Sequence, residues 1–540
     1  MIKKIDLLRT LLTIVIVILA VYFGFKLGNS RALLMSKNID VKAPASKLDK
    51  IIQLIAHRYV DSIDIEHIVE SAIPVIIQNL DPHSTYFVAE DLKEFDETLQ
   101  GSFEGVGITF NMPNDTIIVV SVIEGGPANR AGVEAGDRIL RIDDSIVAGK
   151  QINSSHVMKM LRGESGSKVS IDIKRQGFSK EIPVIITRAQ IPLKSIDVRY
   201  MINDSIGFIK LSTFSRNTYE EFVNAASYLK KRGMTKLIID LRDNTGGYMD
   251  QAIKIANEFF NKKVIIVYTE GHKAPRENFY SKNNGRLANI EVNILINEIS
   301  ASASEILAGA IQDNDRGTII GRRSFGKGLV QAPITFNDGS GLNLTIARYH
   351  TPTGRCIQKP YNNGLEQYAN ELYDRIFNNE LFVIDSIHFN DSLKYTTPQG
   401  KTVYGGGGIM PDVFVALDTV GISRNFFHLI SQKHLVYNYV MNYADKNREK
   451  INSITTFQQL DDFLKTQNIF NDFLIYAANN GVTIKSNEIS EVKKILDPQL
   501  RGLIGRNTPL DNEGFYPYYE KIDVTLQRAI EWFAQNEKND

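Results

Sequence analysis

The chain has 540 residues, of which 43% are hydrophobic and 23% charged; that is enough apolar material to bury cores, and it excludes a chain that is mainly disordered. At ~150 residues per domain it holds about three or four domains. Its 62 basic and 62 acidic side chains cancel, which excludes a general nucleic-acid binder. A single cysteine, Cys356, excludes an intramolecular disulfide and multi-cysteine zinc or iron–sulfur sites.

Lys3, Lys4 and Arg9 precede an uncharged run over residues 11–25, and Lys26 follows it. The run is shorter than the ~20 residues that span a bilayer comfortably, although flanking residues can snorkel. No clean small-x-small cleavage site follows, with Gly24 and Gly28 only weak candidates, so an uncleaved membrane anchor is favoured over a signal peptide. The basic residues keep the amino terminus cytoplasmic. The rest of the chain is then expected outside the cytoplasmic (inner) membrane, on the periplasmic side, or secreted if the signal is cleaved.

Behind the anchor (1–27) and a polar linker (28–44), residues 45–100 carry helical spacing, with Leu48, Ile51, Ile52 and Ile55 on one face. A turn at Asp81-Pro82-His83 breaks it. From 101 to 188 the period shortens. Strands are expected at 107–110, 116–122, 138–142 and 168–174, with glycine turns between them and one helix over 154–161. From 189 to 416 strands and helices alternate, which implies a layered α/β domain. Strands are expected at 205–210, 237–240, 264–268, 293–296 and 318–320, and helices at 217–231, 248–260 and 303–312. Asn337-Asp338-Gly339 supports a hairpin turn. Residues 417–540 look helical again.

Gly105-Val106-Gly107-Ile108 can turn several backbone N–H groups inward to hold a free carboxylate, beside a strand edge open to an extended peptide. From the glycines alone, a small β-rich domain without a ligand is the simpler reading. No G-x-S-x-G elbow or H-E-x-x-H zinc motif occurs, and the nine histidines are scattered. His83 and His350 are read as structural. A hydrolase here needs a base other than histidine, most simply lysine.

Three features of the α/β region bear on chemistry. Asp240-Leu241-Arg242-Asp243-Asn244-Thr245-Gly246-Gly247 follows an apolar strand, and its glycine pair can expose N–H groups suited to an oxyanion hole. Ser300-Ala301-Ser302-Ala303-Ser304-Glu305 opens a helix, where free N–H groups favour a developing anion; Ser302 and Glu305 alone also make an S-x-x-E capping box. Gly326-Lys327-Gly328 sets a lysine between glycines, and burial would turn it into a neutral base. Gln331 could hold its amine. Each feature has a plain structural explanation when taken singly. Residues 321–327 also fit G-x-x-x-x-G-K, but Gly328 stands where a Ser or Thr should bind magnesium. Ser324 and Lys327 fit S-x-x-K, a spacing that recurs by chance at Ser227/Lys230 and needs a helix that Gly326 and Gly328 oppose.

The stretch "GGPANRAGVEAGDRILRIDD", followed by a helix and "GSKVSIDIKR", resembles a PDZ domain. That resemblance implies recognition of protein carboxyl termini with an apolar last residue, gripped by Gly105, Val106, Gly107 and Ile108. Together with "LDPHSTYF", "LIIDLRDNTGG", "SASASEILAGAIQD", "GRRSFGKGLVQ", "ARYHTPTGRCIQ" and "YGGGGIMPDV", over residues ~80–415, the whole resembles the carboxyl-terminal processing peptidases, also called tail-specific proteases. The resemblance implies a multidomain α/β and α protein: a PDZ domain, a crotonase/ClpP-like α/β protease core, and helical regions before and after. It implies a serine endopeptidase with Ser302 as nucleophile, Lys327 as base and Gln331 in support. Ala303 and one of Gly246 and Gly247 would form the oxyanion hole, with the choice between the glycines open. It implies no metal or cofactor. The expected partners are protein substrates with apolar tails and the membrane, and no nucleic acid; a homo-oligomer and an adaptor protein are left open. "DNTGG" replaces the commoner "NPGG", and Cys356 stands where serine is frequent. A PDZ adaptor on a degenerate core is the competing reading, but such a protein would be free to lose Ser302, Lys327 or Gln331.

Overall fold

The computed structural model describes residues 44–112, 115–388, 390–417 and 424–536. The expected anchor and linker therefore lie outside the described residues. Among the described residues, no helix is long and apolar enough to cross a membrane. The chain divides into two compact units at Leu80/Asp81.

The first unit holds two helices, Pro44–Arg58 and Ile65–Gln78. Asp64 caps the second, accepting from the His67 N–H at 3.1 Å. The division falls at the Asp81-Pro82-His83 turn that breaks the helical spacing of residues 45–100. The cause is Thr85–Phe87, a short strand that pairs antiparallel with Gly341–His350 and so belongs to the second unit.

The second unit is built on a six-stranded sheet. Its order is Ile196–Met201, Ile206–Leu211, Lys236–Asp240, Glu291–Ile296, Thr318–Gly321 and Val413–Phe414. The first pair is antiparallel and the rest are parallel. Its central strands are nearly continuous apolar runs, as expected where both faces are covered. Successive side chains point to opposite faces. Leu237 and Ile239 meet the helices Thr218–Lys230, Met249–Asn257 and Ala303–Asp313 in one core. Ile238, Leu295 and Ile320 meet Leu526, Ala529 and Phe533 of the last helix in another.

A second, antiparallel sheet carries Leu329–Thr335, Gly341–His350, Ile265–Glu270 and Glu277–Tyr280. The expected Asn337-Asp338-Gly339 turn joins the first two of these strands. The PDZ region has its own sheet, ordered Ile108–Asn111, Ile117–Val122, Arg138–Ile142, Lys168–Lys174 and Ile182–Thr187, and its own apolar core. Two strands, Ser102–Gly105 and Ala189–Pro192, pair at its base.

After Gly354, the helix Leu365–Phe377 lies against the Lys327 segment. Its inward face is charged: Arg375 and Glu371 bond at 2.6 Å. Residues 424–519 pack as a helical module with a separate core. That module touches the PDZ sheet through Asp445, which bonds Arg138 at 2.8 Å and Arg448 at 2.6 Å.

Candidate active site

The sheet ends two adjacent parallel strands at Asp240 and Ile296. The loops that follow them carry the glycine pair and the serine segment. Such crevices, beyond the carboxyl ends of parallel strands, are where open α/β sheets place their sites.

The two loops are tied to each other. Asn297 Nδ2 donates to Asp243 Oδ1 at 2.8 Å, and the Asp243 N–H donates back to Asn297 Oδ1 at 3.0 Å. Ser300 Oγ donates to the Leu241 carbonyl at 2.8 Å, while the Ala301 N–H and Ser304 Oγ both reach the Asn244 carbonyl. Ser300 and Ser304 thus hold the frame, and Ser302 is left between them. Ser302 has φ 56° and ψ −113°, a conformation rare for a residue with a side chain and typical of strain held at functional sites.

Gly246 lies directly against it. A Cβ on Gly246 would fall 2.8 Å from Ser302 Cβ and 2.9 Å from the Ala303 nitrogen, and its φ is 104°. The Gly246 N–H is already used, donating to Asn244 Oδ1 at 2.8 Å. Among the described residues, no acceptor is paired with the N–H of Gly247 or of Ala303.

Glu305 sits in the first turn of the same helix, and its carboxylate is fully buried. Burial pushes its pKa up to about 7, against four donors that favour the ionised form. Oε1 accepts from Ser324 Oγ at 2.5 Å and from the Gly326 N–H at 2.7 Å. Oε2 accepts from the Ser302 N–H at 2.8 Å and from the Lys327 N–H at 2.9 Å. The capping residue is therefore also the joint between the two catalytic candidates, whose backbone nitrogens share one oxygen. Tyr349, fully buried, donates its hydroxyl to the carbonyls of Ser302 and Lys327 alike.

The Lys327 amine donates to Gln331 Oε1 at 2.9 Å. Burial lowers its pKa from the ordinary lysine value, while Asp81 and Glu305 pull it back up. Gln331 sits at an irregularity of its strand, beside Val330, and its own amide donates to the His83 carbonyl. That carbonyl is fixed by Asp81, whose carboxylate accepts from the N–H groups of His83 and Ser84 at 2.8 Å each and from Thr345 Oγ1 at 3.1 Å. His83 Nε2 lies 2.6 Å from Tyr368 Oη, and burial lowers its pKa to about 4. His83 therefore enters the site through its backbone, with a neutral ring behind it. The role of Glu305 beyond capping, and those of Tyr349 and the His83 carbonyl, are not visible in spacing, because each is a contact across 19 residues or more. "LDPHSTYF" is the one local signal for the last of them.

Arg375, buried, donates to the carbonyls of Arg323, Ser324 and Phe325, just ahead of Lys327. At the far end of the Ser302 helix, Arg355 meets Asp313 at 2.6 Å with both side chains fully buried.

The carboxylate-loop candidates lie apart from this centre, in the PDZ sheet. Val106 is buried, Gly107 has φ 78°, and among the described residues no acceptor is paired with the N–H of either. The carbonyls of both point inward, accepting from the Ala128 and Ile123 N–H groups at 2.9 and 3.0 Å.

The fold and this site define a PDZ-bearing serine peptidase. The model of peptidase family S41 matches residues 205–367, that of the PDZ domain residues 105–186, and a family of unknown function (DUF8443) residues 426–508. The carboxy-terminal processing protease CtpB of Bacillus subtilis is 36% identical over 316 residues, covering 58% of this chain and 65% of that protein. CtpA of the same organism is 34% identical over 336 residues, covering 62% and 71%. The carboxy-terminal-processing protease of Bartonella bacilliformis is 38% identical over 318 residues, covering 58% and 72%. Among solved structures, the photosystem II D1 C-terminal processing protease matches with a TM-score of 0.37 and 24% identity, over 69% of this chain and 87% of that one. The chain belongs to the carboxy-terminal processing proteases.

Proposed function

We propose that the chain is a working endopeptidase that captures apolar carboxyl tails of proteins and cleaves them with Ser302 and Lys327. The observation that carries this reading is Lys327: its half-buried amine is depressed in pKa and held by Gln331, and its backbone N–H shares one Glu305 oxygen with the N–H of Ser302. A solvated lysine in a turn would be protonated at neutral pH and useless as a base. This one is placed to shed its proton.

The steps follow from the groups present. An extended peptide adds to the open edge of Ile108–Asn111, and its terminal carboxylate takes the Val106 and Gly107 N–H groups. The tail upstream enters the α/β crevice. Neutral Lys327 accepts the Ser302 hydroxyl proton as Oγ attacks the scissile carbonyl. The oxyanion rests on the N–H groups of Ala303 and Gly247, which suit the role because Gly246 has spent its own N–H on Asn244. Lys327 then protonates the leaving amine, and water resolves the acyl-enzyme by the reverse route.

The uncharged run over residues 11–25 supports a further reading, that the enzyme is held at the cytoplasmic membrane with this site on the outer side. Protease added to intact spheroplasts should digest the catalytic region only when it faces outward.

Activity is tested on the full chain in detergent with a protein ending in an apolar residue. Ser302→Ala and Lys327→Ala should each cut the rate more than ~10³-fold, and a charged last residue should raise KM. Full-rate cleavage by Lys327→Ala overturns the dyad. Tail binding without any cleavage by the wild type points to an adaptor.

A further inference from the structure

In the helical region after residue 417, residues 426–508 match a family of unknown function, and the chain's last helix lies beyond that match. The region's last segment reaches the loop that carries the oxyanion glycines. Asp523 precedes the helix Val524–Asn536 and caps it, accepting from the Leu526 N–H at 3.0 Å. Its carboxylate takes the Arg242 guanidinium in a two-point bond, Nη1 to Oδ1 at 2.8 Å and Nη2 to Oδ2 at 2.6 Å. The same guanidinium holds Asp240 with Nε at 2.9 Å and Nη2 at 2.7 Å. Lys210 completes the cluster, 3.4 Å from Asp240 Oδ2 and 3.2 Å from the Arg242 carbonyl. Asp240 is fully buried and Asp523 nearly so. Two acids and two bases balance there.

Arg242 is four residues from Gly246. The chain between them bonds to Asn297 and Ala301 and ends against Ser302 Cβ. A paired, planar guanidinium fixes position as well as charge. The helix behind Asp523 is itself anchored to the sheet floor. The Ala529 carbonyl accepts from Asn293 Nδ2 at 3.1 Å, and Trp532 Nε1 donates to Thr318 Oγ1 at 3.1 Å.

We propose that Asp523 is a positioning residue for catalysis: through Arg242 it sets the Leu241–Gly247 loop, so the carboxyl-terminal region completes the oxyanion hole rather than merely decorating the core. The proposal rests on the Ser302–Lys327 reading.

The test is steady-state kinetics of the full chain, as wild type, Asp523→Asn, Asp523→Ala and Asp523→Glu, with Ser302→Ala as the blank. Asp523→Asn should lower kcat about tenfold, below the 10²–10³-fold cost of deleting an oxyanion donor outright, with KM within twofold and thermal unfolding midpoint kept. Acetate should restore part of the kcat of Asp523→Ala by filling the vacated anion site, and Asp523→Glu should retain more activity than Asp523→Asn. A purely structural role predicts kcat falling only with the folded fraction and no acetate rescue, and that result overturns the proposal. So does an unchanged kcat in folded Asp523→Asn. A wild type no faster than Ser302→Ala would instead overturn the underlying reading.

Discussion

Lys327 can act as base only while its amine is unprotonated, and burial moves that state toward neutral pH. The rate constant kcat/KM should therefore rise with pH through the depressed pKa of Lys327 and then level off; a flat profile from pH 5 to 10 contradicts a lysine base. Glu305 titrates with the opposite consequence for stability. Its folded pKa, about 7, lies above its ordinary 4.5, so the native state binds the extra proton between those values. Its contribution is full below pH 4.5 and is lost as pH rises to about 7, by an amount on the order of 3 kcal/mol. His83, depressed to about 4, pushes the other way over an overlapping range. The difference in unfolding free energy between wild type and Glu305→Gln, which leaves His83 intact, isolates the glutamate and should shrink from pH 4.5 to 7. Ser302 and Lys327 were legible because the loops that carry them are local motifs. The Glu305 contact with Lys327 was not, because a capping box explains the same letters without reference to a segment 22 positions on.

Strand periodicity exposed the central elements with ends shifted by a residue or two: residues 237–240 became Lys236–Asp240, and 303–312 became Ala303–Asp313. The helix Leu365–Phe377 is not legible in the periodicity, for a physical reason. Its inner face sets Glu371 and Arg375 beside a single buried aromatic, Tyr368, and outside it exposes Tyr373 and Phe377, so no apolar stripe can be read from it. Thr85–Phe87 is not legible because three residues within a helical stretch carry no period. The loop ahead of the second strand-following helix is the least forgiving element. Gly246→Ala puts a methyl 2.8 Å from both Ser302 Cβ and the Ala301 carbonyl at a φ of 104°, and no flexible side chain there can yield. It should cut kcat more than ~10²-fold while leaving tail binding to the PDZ groove intact, read as rate against fluorescence anisotropy of an apolar-tailed peptide on the full chain.

Over the whole molecule, charge binds regions that apolar cores keep separate. The PDZ core, the helical module core and the two cores of the α/β sheet share no members. Asp445 joins the PDZ sheet to the helical module, and it does so with two arginines on one carboxylate. Asp445→Ala strands both cations at a half-buried contact, at a cost of about 1–3 kcal/mol. It should speed limited proteolysis of the PDZ region without lowering the unfolding midpoint of the α/β core; unchanged digestion would show that the pair does not hold the module in place. None of this was legible in the composition, where 62 charges of each sign read only as neutrality.

The pairing of Ser102–Gly105 with Ala189–Pro192 has one more consequence. The strand before the PDZ region, Thr85–Phe87, and the strands after it belong to the α/β unit. The Leu193 N–H meets the Gly101 carbonyl at 2.8 Å, so the PDZ domain leaves and re-enters its host at neighbouring points. It is an insertion, not a link in a series. Its two exits are close enough for a short turn to close the gap, which makes the domain an exchangeable cassette: a different PDZ domain could be spliced into the same two positions without redrawing the α/β sheet.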